Sequence, residues 1–470
     1  MISFAAYRLR QEKGLKRGVM SKKNEIQNPI TEGVIWQQLL LFFFPILFGT
    51  FFQQLYNAAD AMIVGRFVGK EALSAVGGST GMLTQMIVGF FVGLSSGASV
   101  IISQYYGAEN EQKLSWAVHT CIALSILGGV LLSILGMVLS PYILNWMGTP
   151  EDVIENSVIY LQIYFSGSLF NLLYNMAAGI LRAVGDSRRP LYYLCISSAV
   201  NIVLDLVFVI VFSMGIAGVG YATIIAQAVS AALAFFALMR TKDSYRVELK
   251  KIAIDKRMMK RILAIGIPSG IQHSIISLSN VIVQANINGY GSAAMAGYGA
   301  YSKIDGFVML PLQSFCIAAT TFTGQNIGAE KKKRVKQGIV QGIVISAVYT
   351  LALSPFLLWK AEDLIQIFSS DPEVLRYGKM TISMLIPFYG VLSIHQILMG
   401  TFRGAGKTMV TMLIGIGNMC VLRMIYINGM VPFFPSYEAV MLCYPITWTT
   451  TMLMDVLYCW KGKWMSFEKK

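Results

Sequence analysis

Twelve apolar blocks, each about twenty residues long and parted by short polar loops, limit what this chain can fold into. They lie near 34–60, 78–103, 114–139, 156–180, 191–212 and 216–239, then near 261–287, 297–324, 336–359, 377–402, 408–430 and 438–460. A block of that length crosses the hydrocarbon layer as a helix, and inside that layer only helices or closed barrels satisfy their own backbone groups. Barrel strands are half as long, so the spacing predicts an all-α integral membrane protein with twelve transmembrane helices. Charged residues make up 13% of the 470, against about 25% in a soluble domain. The first and seventh blocks are long and contain Pro45 and Pro268, which predicts tilt or a bend.

The net charge of +14 would suit a nucleic-acid binder if the basic residues covered one folded surface, but they do not. They cluster in loops: seven against one acid at 8–23, nine from Arg240 to Arg261 against three acids, and EKKKRVK at 330–336. Acidic loops alternate with these, one holding Glu151, Asp152 and Glu155 and another Glu362, Asp363, Asp371 and Glu373. Excess Lys and Arg marks cytoplasmic loops, so both termini are expected in the cytoplasm of a bacterial cell, with Arg66 and Lys70 as exceptions on the outer side. Residues 1–28 are basic, without an apolar core, and read as a cytoplasmic tail rather than a cleaved signal; Met20 is an alternative start. Cys121, Cys195, Cys316, Cys420, Cys443 and Cys459 fall in or at the ends of apolar blocks without CxxC spacing, so neither a disulfide framework nor a zinc site is supported.

The chain contains an internal repeat. QYYGAE at 104–109 recurs as QNIGAE at 325–330, an offset of 221 (325 − 104), and LRAVGDS at 181–187 recurs as FRGAGKT at 402–408 at the same offset. Pro45 and Asn57 pair with Pro268 and Asn280 at an offset of 223. Six helices per half is an even number, so both halves share one orientation and form parallel repeats about an axis normal to the membrane. The expected division is a tail at 1–28, an N-lobe at 29–239, a basic linker at 240–260, a C-lobe at 261–460 and a tail at 461–470. Two six-helix bundles around a central cavity suit alternating access.

Polar groups inside the membrane break the repeat. At matching offsets Asp60 becomes Val283, Asn201 becomes Leu422, Asp205 becomes Tyr426 and Thr223 becomes Tyr444. Glycines, prolines and loop motifs persist where these groups do not, so packing does not demand them. A carboxylate in hydrocarbon costs about 2.5–3.5 kcal/mol on insertion scales and normally faces a bundle interior or a watery path. Asn201 and Asp205, four apart, share one helix face. Counting along the helices puts Asp205 roughly 21 Å into its outward run and Thr223 roughly 10 Å from the outer face, depths that agree. Asp60 closes its block, where an interfacial pair with Arg66 competes with a place in the site. Two carboxyl groups sharing a low-dielectric site do not both ionise cheaply and titrate as a unit. Such a pair takes a proton, or is held ionised by Na⁺ with oxygens from Asn201 and Thr223. The blander reading of Asp205 is a helix-to-helix hydrogen bond with no transport role.

The second half offers Lys303 and Asp305, whose i,i+2 spacing puts them on different sides of a helix. A network within that lobe and a contact with substrate are both open to them. Arg423 and Asp455 read as structural, and His119, His273 and His395 as satisfied polar contacts rather than ligands. RGAGKT at 403–408 ends like a phosphate-binding loop, but Thr401 stands where its first glycine belongs and no strand precedes it. A membrane-embedded enzyme would need clustered His and Asp or Glu, which three scattered histidines do not supply.

NAADAMIVGRFVG at 57–69, the two GAE motifs, LRAVGDS with FRGAGKT, and NIVLD at 201–205 together resemble the multidrug and toxic compound extrusion (MATE) transporters. The resemblance runs from about Asn28 to Trp460 in order and spacing. It implies a V-shaped pair of six-helix bundles exporting amphipathic, mostly cationic organic compounds against an inward H⁺ or Na⁺ gradient, with no cofactor. In the prokaryotic branch related to the DNA-damage-inducible members, the coupling cation sits in the first lobe, and Asp60, Asn201, Asp205 and Thr223 match its ligands residue by residue. The Na⁺-driven branch also uses acids on the seventh and tenth helices, where this chain has Gln284, Asn286 and His395 but no carboxylate. Gln284, Lys303 and Asp305 are the second-lobe candidates for a substrate contact or network. The expected partners are small organic cations and membrane lipids, without nucleic acid, for a monomer. The rival is a flippase for a lipid-linked saccharide, from a related superfamily, which calls for a cavity rich in Arg and Lys and often fourteen helices.

Overall fold

The computed structural model describes residues 28–77 and 79–465; the basic stretch 1–27 with Met20, the last five residues and the Lys70 side chain lie outside that description. The first repeat comprises α1 (Ile35–Ile63), α2 (Ser79–Gly107), α3 (Glu111–Trp146), α4 (Glu151–Ser166 and Ser168–Ala183), α5 (Arg188–Leu206) and α6 (Gly215–Arg240). The second comprises α7 (Lys256–Asn288), α8 (Ser292–Gly328), α9 (Lys332–Trp359), α10 (Pro372–Leu385 and Tyr389–Gly404), α11 (Thr408–Ile416 and Arg423–Gly429) and α12 (Cys443–Lys461). Among the described residues 11 helices are long and apolar enough to cross a membrane. The remaining pass is α4, which breaks at Gly167.

Polar residues in the loops start the helices. Asn110 accepts from the Lys113 amide at 3.0 Å to open α3, and Asp255 accepts from Arg257 and Met258 to open α7. Each satisfies amides that the helix itself leaves free. Pro45 and Pro268 lie inside α1 and α7, which run on through them. Among the described residues three passes contain a wide, π-type turn: α1 ends in one at Val64–Val68, α5 in one at Val207–Val211, and α11 is interrupted by one at Gly417–Leu422. Such turns recur at functional sites because they re-aim the side chains beside them.

The repeat is visible in the backbone. Glu109 and Glu330 both take left-handed φ, at 53° and 59°, and Gly185 and Gly406 do so at 99° and 76°. These motifs lie at the face that carries the basic loops, and there the two lobes clasp each other reciprocally. Gln104 Nε2 donates to the Gly404 carbonyl at 2.9 Å, and Gln325 Nε2 donates to the Ala183 carbonyl at 2.7 Å. Both donors and both acceptors are 221 residues apart (325 − 104 and 404 − 183). The glycines of the same motifs permit the approach: a Cβ on Gly107 would lie 2.0 Å from the Gln325 carbonyl oxygen, and one on Gly328 2.0 Å from that of Gln104.

Toward the acidic loops the seam between α1 and α8 loosens. Along one stripe of α8, Pro311, Phe315, Ala318 and Phe322 are buried. Phe315 stacks on Phe43 of α1 at 4.0 Å, and Phe322 packs with Ile35 and Leu39. One turn above Pro311, Phe307 is 47% exposed, its ring 6.0 Å from Phe51 of α1, and above it Lys303 and Met295 are exposed too. The stripe that seals the lobes near the basic face therefore lines an open cleft toward the acidic loops.

Candidate functional site

α1 and α5 pack side by side, and each brings one carboxylate to the interior of the first repeat. Asp60 lies one turn before the wide turn that ends α1, and Asp205 just before the one that ends α5. Asp205 is fully buried and Asp60 is 9% exposed. The two carboxyl groups interact across the contact between α1 and α5. Asp60 is thus drawn inward, away from the interface; Arg66 instead stands over the Phe67 ring at 6.0 Å.

Asn201 is buried one turn before Asp205 on the same face of α5. Ser197 Oγ donates to the Ala226 carbonyl at 2.8 Å, fixing antiparallel α5 against α6 so that Asn201, four residues on, comes level with Ala222 and Thr223. Thr223 is buried and donates to the Val219 carbonyl at 2.9 Å, leaving its lone pairs available. Asp60 Oδ1, both Asp205 oxygens and both polar atoms of the Asn201 amide are buried without a protein hydrogen-bond partner. Five such atoms on neighbouring helices carry a free-energy cost that scaffold packing does not require. A proton between the acids, or a small cation among the oxygens, relieves it.

Tyrosines complete the surroundings, and sequence reasoning missed them. The Tyr160 phenol lies within electrostatic reach of both acids, and the Tyr56 phenol within reach of Asp60. Tyr160 and Tyr164 stack at 6.3 Å on α4. The signal was present: Tyr56 sits one turn before Asp60, and Tyr160 and Tyr164 share a face four residues apart.

Gln284, Lys303 and Asp305 do not converge. Gln284 donates to Asn288 at 2.9 Å along α7, and Lys303 stands exposed on the cleft wall. Asp305 accepts from Tyr301 at 3.3 Å and from Tyr389 of α10. Carboxylates do reach the tenth helix, but from its neighbours: His395 Nδ1 lies 2.5 Å from Asp455 of α12. His119 binds the Ser115 carbonyl and the Glu248 amide, while His273 makes no side-chain hydrogen bond among the described residues.

The second lobe buries a guanidinium beside the repeat partners of Asn57 and Thr223. Arg423, 1% exposed, donates to Asn280 at 2.8 Å, approaches Ser279 and Thr447 at 3.4 Å, and lies 4.6 Å from the centre of the Tyr444 ring. Asn280 and Tyr444 are the repeat partners of Asn57 and Thr223. One lobe thus holds an unsatisfied acidic centre, and the other a cation of its own.

Two repeated six-helix bundles, clasped to each other at the basic-loop face and with two acids buried inside the first, define a multi-pass membrane transporter. The MatE family model matches residues 45–207 and 268–427. A probable multidrug resistance protein of Bacillus subtilis (strain 168), YoeA, is 31% identical over 382 residues, 80% of this chain and 82% of the relative. An FAD transporter of Shewanella oneidensis is 24% identical over 404 residues, covering 83% and 87%. A multidrug resistance MATE family transporter solved in an outward-facing conformation superposes with a TM-score of 0.83 at 21% identity, covering 92% of this chain and 97% of that one. The chain belongs to the MATE family.

Proposed function

We propose that this transporter is an antiporter that exports amphipathic, mostly cationic organic compounds by alternating access, driven by inward H⁺ or Na⁺. The coupling ion binds at Asp60 and Asp205, with Asn201 and Thr223 supplying neutral oxygens. The carrying observation is the facing pair of buried carboxyl groups amid polar atoms that no protein group satisfies. The basic-loop face lies in the cytoplasm, so the cleft opens outward. Loading the acids from outside relieves their mutual repulsion and favours release of cargo there and return to the inward-open state. The relative named as a multidrug resistance protein supports a drug-like cargo. A flippase, the rival, wants a wall rich in Arg and Lys, and the exposed stretch of the α8 stripe from Met295 to Phe307 carries Lys303 alone.

Efflux of a fluorescent organic cation from energised vesicles tests this reading. Wild-type protein should export it with a dependence on the H⁺ or Na⁺ gradient. Asp60→Asn and Asp205→Asn should lose that dependence, and wild-type rates with unchanged ion dependence in both variants would overturn the assignment.

A further inference from the structure

We infer that Lys303 is a cargo-contacting residue that recognises an anionic group, a carboxylate, sulfonate or phosphate, on the amphipathic compounds entering the cleft. Taking the cleft as the cargo path rests on the transport reading above. Lys303 comes eleven residues, or about 16 Å, after the first residue of α8, at a depth where a cation on the lipid face is costly. Its direction follows from its helix neighbours. Phe307, one turn below on the same face, meets Phe51 of α1, and the continuation of that face is sealed against the first lobe by the Phe43–Phe315 stack. Lys303 therefore points across the cleft at α1.

No ion pair holds Lys303 among the described residues. Asp305, two residues on, turns into its own lobe and is occupied by Tyr301 and Tyr389. The wall facing Lys303 is apolar, with Phe51, Leu55 and Met62 exposed on α1. An ammonium on one wall and exposed aromatic and aliphatic surface opposite suit a flat amphiphile with one negative substituent, including a zwitterion whose positive end lies elsewhere. A compound whose only charge is positive makes its contacts elsewhere in the cleft, away from Lys303.

The test is equilibrium binding of two dyes to the full-length protein in detergent: a rhodamine with a free carboxylate and the methyl ester of the same rhodamine. Lys303→Met should weaken the carboxylate dye about tenfold and shift the ester by no more than about twofold, since only the former loses an ion pair. Lys303→Arg should keep wild-type discrimination, and Lys303→Glu should reverse it. Retained ester binding shows that each variant is folded. Equal changes for both dyes in Lys303→Met, no change for either, or no binding of the carboxylate dye by wild type would overturn the inference. Binding needs no ion gradient, so the two readings fail separately. Charge-dependent binding without gradient-driven efflux would sink the antiport mechanism alone, and efflux with unchanged dye preference in Lys303→Met would sink the anion contact alone.

Discussion

The two lobes share a backbone plan and differ in who supplies the positive charge. In the first, Asp60 and Asp205 face each other across α1 and α5 with Asn201 beside them, and none of the unpaired atoms has a protein partner. In the second, Arg423 is buried instead, bound to Asn280 and lying over Tyr444, the repeat partners of Asn57 and Thr223. A guanidinium tethered to the chain cannot leave, whereas a proton or a metal ion can. Duplication thus leaves one lobe with buried acids that no protein group satisfies and one whose buried charge is held by the chain itself.

Substitutions break or sharpen this contrast. The largest effect is expected for Asp205→Asn, which should lower gradient-driven efflux on the order of 100-fold by uncoupling cargo from ion. The matching change in the other lobe, Tyr426→Phe, should leave efflux near wild type in the same vesicle assay. Next comes Arg423→Met, which strands the Asn280 acceptor and should cost about 1–3 kcal/mol of stability, read by thermal unfolding in detergent. Its efflux should keep the wild-type ion dependence, because the cation it removes is not the exchanged one.

The clasp sharpens the comparison from the symmetric side. Gln104→Leu and Gln325→Leu each remove one hydrogen bond between lobes, worth about 1 kcal/mol, and should shift the population toward opening at the basic face about fivefold. Distances between spin labels on the two lobes should report equal shifts for both variants, and a large difference would mean that the repeat does not extend to the gate. The smallest effect belongs to Thr223→Val. If Na⁺ is the coupling ion, its apparent affinity should fall about threefold, while H⁺-driven efflux stays unchanged.

Helix number, the repeat and the four first-lobe polar residues were legible because each leaves a direct trace: block length, a constant offset, and polarity where hydrocarbon is expected. The inward turn of Asp60 was not, since counting from the block end puts it near the interface and says nothing of what faces it. The inward turn of Arg423 was not legible either, for a physical reason. The strict offset pairs Asp205 with Tyr426, but the wide turn at Gly417–Leu422 precedes Arg423, whereas its first-lobe equivalent at Val207–Val211 follows Asp205. A wide turn changes the angular register of what comes after it, so Arg423 is buried while Tyr426 is only half-buried. The glutamine motifs were visible as a pair, yet their partners, backbone carbonyls at Ala183 and Gly404, carry no side-chain signal.

Ion movement itself, followed in proteoliposomes as cargo is driven the other way, tests the central claim most directly. Wild type and Arg423→Met should carry H⁺ or Na⁺ inward in step with cargo, and Asp60→Asn and Asp205→Asn should carry none. Full ion flux through the aspartate variants, or its loss in Arg423→Met alone, would contradict it.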